Sequence, residues 1–110
     1  MPKDERIISE MLEAIERRKS GDPETSYTAR LYAKGVHKIA QKVGEEAVET
    51  AVAAVAETNE RLARESADLL YHHLLVLWNA KGIAPGEVWA ELERRFGTTG
   101  AAIKEIRKKG

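Results

Sequence analysis

The sequence predicts an all-α protein, four-helix-bundle-like with an extra short helix. Apolar residues recur at three- and four-residue steps along most of the chain, and no stretch shows the alternation of a half-buried strand. Charged residues make up 33% and aromatics only 5%, a balance that favours helices with solvated, ion-paired faces. Capping and stop residues fall where the apolar stripes begin and end.

Ile7, Ile8, Met11, Leu12 and Ile15 form the first stripe, predicting a helix from about Asp4 to Lys19 that Gly21 and Pro23 end. Thr25 or Ser26 caps a short helix through Lys34 that carries Tyr27, Leu31 and Tyr32. After Gly35, the residues Val36, Ile39, Ala40, Val43, Ala47, Ala51 and Ala54 hold one face of a long helix. Their small side chains predict a close helical neighbour. Lys38, Lys42, Glu45, Glu46 and Glu49 occupy the opposite arc, away from that contact. Thr58 or Asn59 opens a helix expected to run unbroken to about Asn79 and to stop at Lys81-Gly82. From Ala67 to Trp78 it is apolar almost all round, which predicts burial in the core or at a subunit interface. Pro85 opens a last helix with Val88, Trp89, Leu92 and Phe96 inward, and Gly97 stops it. The tail, 98–110, is weakly patterned and expected to be ordered only in part.

The 110 residues suffice for one domain, 1–110, with a modest core. So apolar a central helix in so small a chain predicts a homodimer. Basic and acidic residues balance at 18 each, so there is no electrostatic footprint for nucleic acid or an anionic membrane. The absence of cysteine excludes disulfides and thiolate metal sites and leaves oxygen ligands and histidine. The first ten residues lack the apolar core of a signal peptide, and the apolar run near Leu74 to Trp78 is far too short to span a bilayer. A soluble, cytoplasmic protein is expected.

The densest charge lies in the run Lys42-Val-Gly-Glu45-Glu46-Ala-Val-Glu49. Glu46 and Glu49 are an i,i+3 pair whose carboxylates cover the same surface spot, and Glu65 and Asp68 repeat the spacing on the next helix. Facing each other, the pairs make a four-carboxylate cage suited to a hard cation such as Mg²⁺ or Mn²⁺. The plainer reading is helix decoration, with Lys42 paired to Glu46 and Arg61 or Arg64 paired to Glu65 or Asp68. Two features oppose it. Glu45 and Glu49 repel at i,i+4, and an acid pair at the mouth of a buried helix needs a counter-charge. His72 follows Asp68 by four residues and shares its stripe, so it can reach a phosphate or orient a carboxylate; His73 is expected to point elsewhere and His37 to sit near the contact face. Tyr71 and Trp78 read as core. A di-iron bundle is set aside, because neither His72 nor His73 lies three residues after a Glu.

Ser26-Tyr-Thr28, Leu31, Gly35, the Lys42–Glu49 run and Glu65-Ser-Ala-Asp68-Leu-Leu-Tyr71-His72 together resemble the phosphoribosyl-ATP pyrophosphohydrolase family of histidine biosynthesis. That family sits within the all-α nucleoside-triphosphate pyrophosphohydrolases marked by EExxE and a downstream ExxD. The resemblance covers most of the chain, from the first helix to Gly100. It implies hydrolysis of the α–β phosphoanhydride of phosphoribosyl-ATP to phosphoribosyl-AMP and pyrophosphate. By position it implies Glu46, Glu49, Glu65 and Asp68 as Mg²⁺ ligands and Glu45 as a further ligand or water-orienting base. Lys42, with Lys38 and Lys34, lies on the face that would meet phosphates, and Tyr27 and His72 complete the substrate-binding set. In the tail only Lys104 and Arg107 match the family pattern. Some relatives carry the cyclohydrolase of the next step in the same chain; this one is too short for it, so that enzyme would be a separate protein.

Two other readings compete. One keeps the chemistry but acts on ordinary or damaged nucleoside triphosphates, as housecleaning relatives do. The other is a non-catalytic helical dimerisation module.

Overall fold

The computed structural model describes residues 3–97, and among them the chain is helical with no strand. Helix α1 (Ile7–Arg18) buries Ile15 completely. Helix α2 (Tyr27–Lys34) starts where Ala29 N–H donates to Ser26 Oγ at 3.2 Å, so Ser26 is the cap. Gly35 then adopts φ 91°, a left-handed conformation that glycine takes without Cβ strain, and so ends α2 as α3 (Val36–Ala56) begins.

Thr58 caps α4 (Asn59–Asp68), accepting from Arg61 N–H at 3.1 Å. The rod continues without a loop to Lys81, but not as the uninterrupted α-helix expected. Leu69–Leu75 winds as a π-helix before α5 (Val76–Lys81) resumes. Gly82, at φ 74°, closes α5. Helix α6 (Pro85–Phe96) has proline in its first turn, and Ala84 N–H donates to Glu87 Oε2 at 2.8 Å.

Ile15, Leu31, Ile39, Leu75 and Val76 meet in the core, one or more from each of α1, α2, α3 and the π–α5 rod. A polar relay pins its edge. The Tyr32 hydroxyl donates to Asn79 Oδ1, and Asn79 Nδ2 donates to Glu16 Oε2 at 2.8 Å, joining α2, α5 and α1. Arg18 Nη1 donates to the Tyr71 hydroxyl at 2.8 Å, clasping α1 to the π turn.

Helix α3 is rolled relative to expectation. Its buried residues are Ile39 and Ala53, with Lys42, Val43, Glu46 and Thr50 half-buried, while Val36, Ala40, Ala47, Ala51 and Ala54 stay exposed. Positions 39, 46 and 53 are a heptad apart, so they share one stripe, and that stripe runs along α4, the π turn and α5. Thr50 sits in the seam, its hydroxyl 2.8 Å from Glu46 O and 3.5 Å from Glu65 O. The charges are therefore not segregated from the helix contact; Glu46 is part of it. The alanine face lacks a neighbour within the described residues. Helix α6 also differs from expectation: Val88 is half-buried, but Trp89, Leu92 and Phe96 are exposed, and the Trp89 ring meets Trp78 edge-on at 5.8 Å.

Candidate active site

Rolling α3 onto α4 gathers the acidic pairs predicted to face each other. Glu46, Glu49 and Glu65 each present a carboxylate oxygen within 4.8 Å of the other two. Glu46 belongs also to a second set, with Asp68 and His73, that meets the same limit. The arrangement is thus two overlapping triads joined at Glu46, in place of a single four-carboxylate cage.

Electrostatics agree with that crowding. Glu46, whose side chain is 14% exposed, has its carboxyl pushed up to about 7, first by burial and then by Glu49, Asp68 and Glu65. One counter-charge is already present: Arg61 Nη2 stands 2.9 Å from Glu65 Oε1 and its Nε 3.3 Å from Glu57 Oε1. Arg64 pairs with Glu60 at 2.8 Å.

The remaining sequence-predicted residues surround the triads at different depths. Lys42 Nζ lies 3.4 Å from Glu45 Oε1, so its pairing is with Glu45 where decoration would have paired it with Glu46. That contact raises the Lys42 ammonium above its ordinary value. Glu45 is held ionised, first by Gln41 Nε2 donating at 2.7 Å and then by Lys42, and it stands outside both triads. Lys38 is half-buried one turn before Lys42, and Lys34 is exposed in the last turn of α2; neither forms an ion pair among the described residues. Lys104 and Arg107 lie outside the described residues.

Tyr27 packs edge-on against His72, with ring centres 5.2 Å apart, and against His73 at 6.1 Å. Its phenol is raised by burial, with Lys42 opposing and Asp68 and Glu46 adding to the shift. His72 Nε2 is 3.8 Å from Asp68 Oδ1. Two open depressions flank the acids. One, of about 310 Å³, is lined by Val48, Glu49, Val52, Glu57, Arg61 and Glu65; the other, of about 440 Å³, by Met11, Arg64, Ala67, Asp68, Tyr71 and His72.

A family model described as phosphoribosyl-ATP pyrophosphohydrolase matches residues 8–96, which include every residue of both triads. The chain belongs to the phosphoribosyl-ATP pyrophosphohydrolase family. A phosphoribosyl-ATP pyrophosphatase from Paramagnetospirillum magneticum is 55% identical over 109 residues, covering 99% of each chain. One from Rhodospirillum rubrum is 53% identical over 103 residues, 94% of this chain and 87% of its own. One from Pyrobaculum calidifontis is 59% identical over 91 residues, 82% of this chain and 95% of its own.

Sequence reasoning missed His73. An α-helical continuation places Asp68 and His72 on one stripe and turns His73 away. The wider π winding brings residues five apart into line, so His73 comes round beside Asp68. Its side chain is 1% exposed, with Nε2 3.7 Å from Glu46 Oε1 and 3.8 Å from Asp68 Oδ2. The only advance signal was the doubled histidine directly after the ExxD of the pyrophosphohydrolase signature.

Proposed function

We propose that this chain is the phosphoribosyl-ATP pyrophosphohydrolase of histidine biosynthesis, working with Mg²⁺ and able to accept Mn²⁺. The observation that carries the cation is the Glu46 cluster. A carboxyl pushed up to about 7 by burial and three acidic neighbours is a site that gains by taking up positive charge. The donor set suits a hard cation, since Glu46, Glu49, Glu65 and Asp68 offer only oxygen. Those four residues would hold Mg²⁺, which when bound supplies charge neutralisation and Lewis acidity to the phosphoanhydride.

The chain's own groups do the rest. Lys42 reaches past Glu45 toward the entering phosphates, and Lys38 adds a second positive charge one turn away. Breaking the Lys42–Glu45 contact frees the Glu45 carboxylate to orient the attacking water and take its proton. His72 lines the approach from the Asp68 side, and Tyr27 braces its ring edge to face and completes the substrate-binding set. Pyrophosphate leaves as the phosphoanhydride P–O bond breaks and the water oxygen bonds to phosphorus.

The deciding assay is pyrophosphate release from the purified protein, comparing phosphoribosyl-ATP with a panel of dNTPs. Phosphoribosyl-ATP should be strongly preferred; a preference for the panel would instead favour a housecleaning role. Full activity in excess EDTA, or in Asp68→Asn, would remove the cation from the mechanism.

The active unit in this reading is a homodimer of single-domain chains in the cytoplasm. It is supported by the uncovered alanine face of α3 with Val48, Val52 and Val55, the last 87% exposed, and by Trp89, Leu92 and Phe96 on α6. No helix among the described residues is long and apolar enough to cross a membrane. Sedimentation should give a dimer for the parent and a monomer for Val52→Asp.

A further inference from the structure

The depression of about 440 Å³ beside Asp68 falls within the size range of small-molecule sites, and only its His72 rim is used by the chemistry above. Met11 of α1 and Ala67 and Tyr71 of the rod give it an apolar and aromatic floor. Two guanidinium groups border that floor. Arg64 lines the depression directly, and Arg18 reaches it from α1, its Nη1 donating to the Tyr71 hydroxyl at 2.8 Å. Asp68 is the one acid among the lining residues, and its carboxylate belongs to the cluster with Glu46 and His73. Neither arginine is locked in place. Arg64 is held by Glu60 in a pair whose side chains are 64% and 74% exposed, and Arg18 by a neutral phenol. Contacts so open to water are weak, so both groups can turn to a stronger anion at little cost. The planar fork of a guanidinium matches a phosphate with two parallel N–H donors.

An ordinary nucleoside triphosphate carries phosphate at one end only, and the acid cluster with Lys42 and Lys38 answers that end. Phosphoribosyl-ATP has a second end, a monophosphate on the ribose joined to its adenine ring. We infer that Arg64 and Arg18 bind this remote monophosphate, with its ribose over the Met11–Tyr71 floor, and so set the preference for phosphoribosyl-ATP over ordinary nucleoside triphosphates. The inference rests on the pyrophosphohydrolase reading and deepens it by naming the residues that determine specificity. Asp68 is common to the acid cluster and the depression, so the two ends of one substrate can be held at once. The remote phosphate takes no part in bond breaking, so its contacts are alike in the ground state and the transition state. Contacts of that kind lower KM and leave kcat unchanged.

The test follows pyrophosphate release from phosphoribosyl-ATP by the full chain with Mg²⁺, with ribose 5-phosphate and ATP as competing ligands. Arg64→Gln should raise KM by a factor on the order of ten with kcat almost unchanged, the loss expected for one charge-assisted phosphate contact. Ribose 5-phosphate should inhibit the parent competitively and should weaken by a similar factor in the variant. ATP lacks the remote phosphate and should compete equally well against both proteins. Arg64→Lys keeps the charge without the fork and should fall between them. Arg18→Gln should also raise KM, and melting curves establish that this variant, which loses the clasp to Tyr71, is read in its native state. An unchanged KM in Arg64→Gln, or an equal weakening of ATP, overturns this inference while the parent's turnover of phosphoribosyl-ATP leaves the proposed function standing. A parent that releases no pyrophosphate from phosphoribosyl-ATP overturns both.

Discussion

Arg61 holds Glu65 at 2.9 Å, so one carboxylate of the predicted Mg²⁺ set is already paired with a cation from its own helix. The guanidinium occupies part of the electrostatic role that a metal would take. Removing it should act in opposite directions on the empty and the loaded protein. Arg61→Gln is expected to lower cation-free stability by about 0.5 kcal/mol, as for an exposed pair. It should also tighten Mg²⁺ binding by a factor on the order of five, equivalent to about 1 kcal/mol of relieved competition. Calorimetric titration with Mg²⁺ checks this, and unchanged or weaker binding would contradict it.

Glu46 makes stability pH-dependent in an unusual direction. Its folded value of about 7 lies above the ordinary 4.5, so between these the folded state binds more protons than the unfolded chain. Stability therefore falls as pH rises through that window, and the loss is complete above it. The penalty is on the order of 2 kcal/mol after discounting for partial solvent access. Urea unfolding in EDTA should show this decline from about pH 5 to pH 8, and Glu46→Gln should flatten it. Saturating Mg²⁺ should stabilise more at the alkaline end. A parent protein as stable at the top of that range as at the bottom would refute the assignment.

Gly35 needs its left-handed φ of 91° and no space beyond it, since a Cβ there would meet nothing within 4 Å. Gly35→Ala thus isolates backbone strain, with an expected cost of about 1–2 kcal/mol by chemical denaturation. Because the same residue sets α2 against α3, substrate affinity should fall with it, through Tyr27 and Lys42. A neutral substitution would show that the turn relaxes freely.

The relay from Tyr32 through Asn79 to Glu16 predicts coupling between distant positions. Burial and the Glu16 charge push the Tyr32 phenol up to about 12, so it remains a donor throughout the working range. Tyr32→Phe leaves the Asn79 carbonyl unmet and should cost about 1–2 kcal/mol. Once Asn79→Ala is present, the same change should cost much less. Additive losses in the double mutant would show that the two side chains act separately.

Much of this architecture was legible in the residues. Ser26, Thr58, Gly82 and Pro85 mark helix ends by their chemistry, and the stripes of α1 and α2 face inward as their spacing implies. The roll of α3 was not legible, because its alanine side is the more apolar one by composition. Periodicity cannot tell a neighbour within the chain from one on a second copy. The π turn was hidden for a related reason, since reading a stripe at 3.6 residues assumes the winding it is meant to detect. The paired acids survived both errors because i,i+3 spacing within a helix does not depend on how the helices meet.

The π winding of Leu69–Leu75 has a mechanical consequence for the rod that contains it. Extra length in one turn changes the angular phase of everything downstream without interrupting the helix. Helix α4 can point its acids at α3 while α5 seats Val76 in the core beside Ile39 and Ile15 and offers Asn79 to α1 and α2, with no loop between the two duties. The rod behaves as a shaft with a built-in twist coupling. Selection can adjust the acid-bearing half without disturbing the alignment of the half that carries the core.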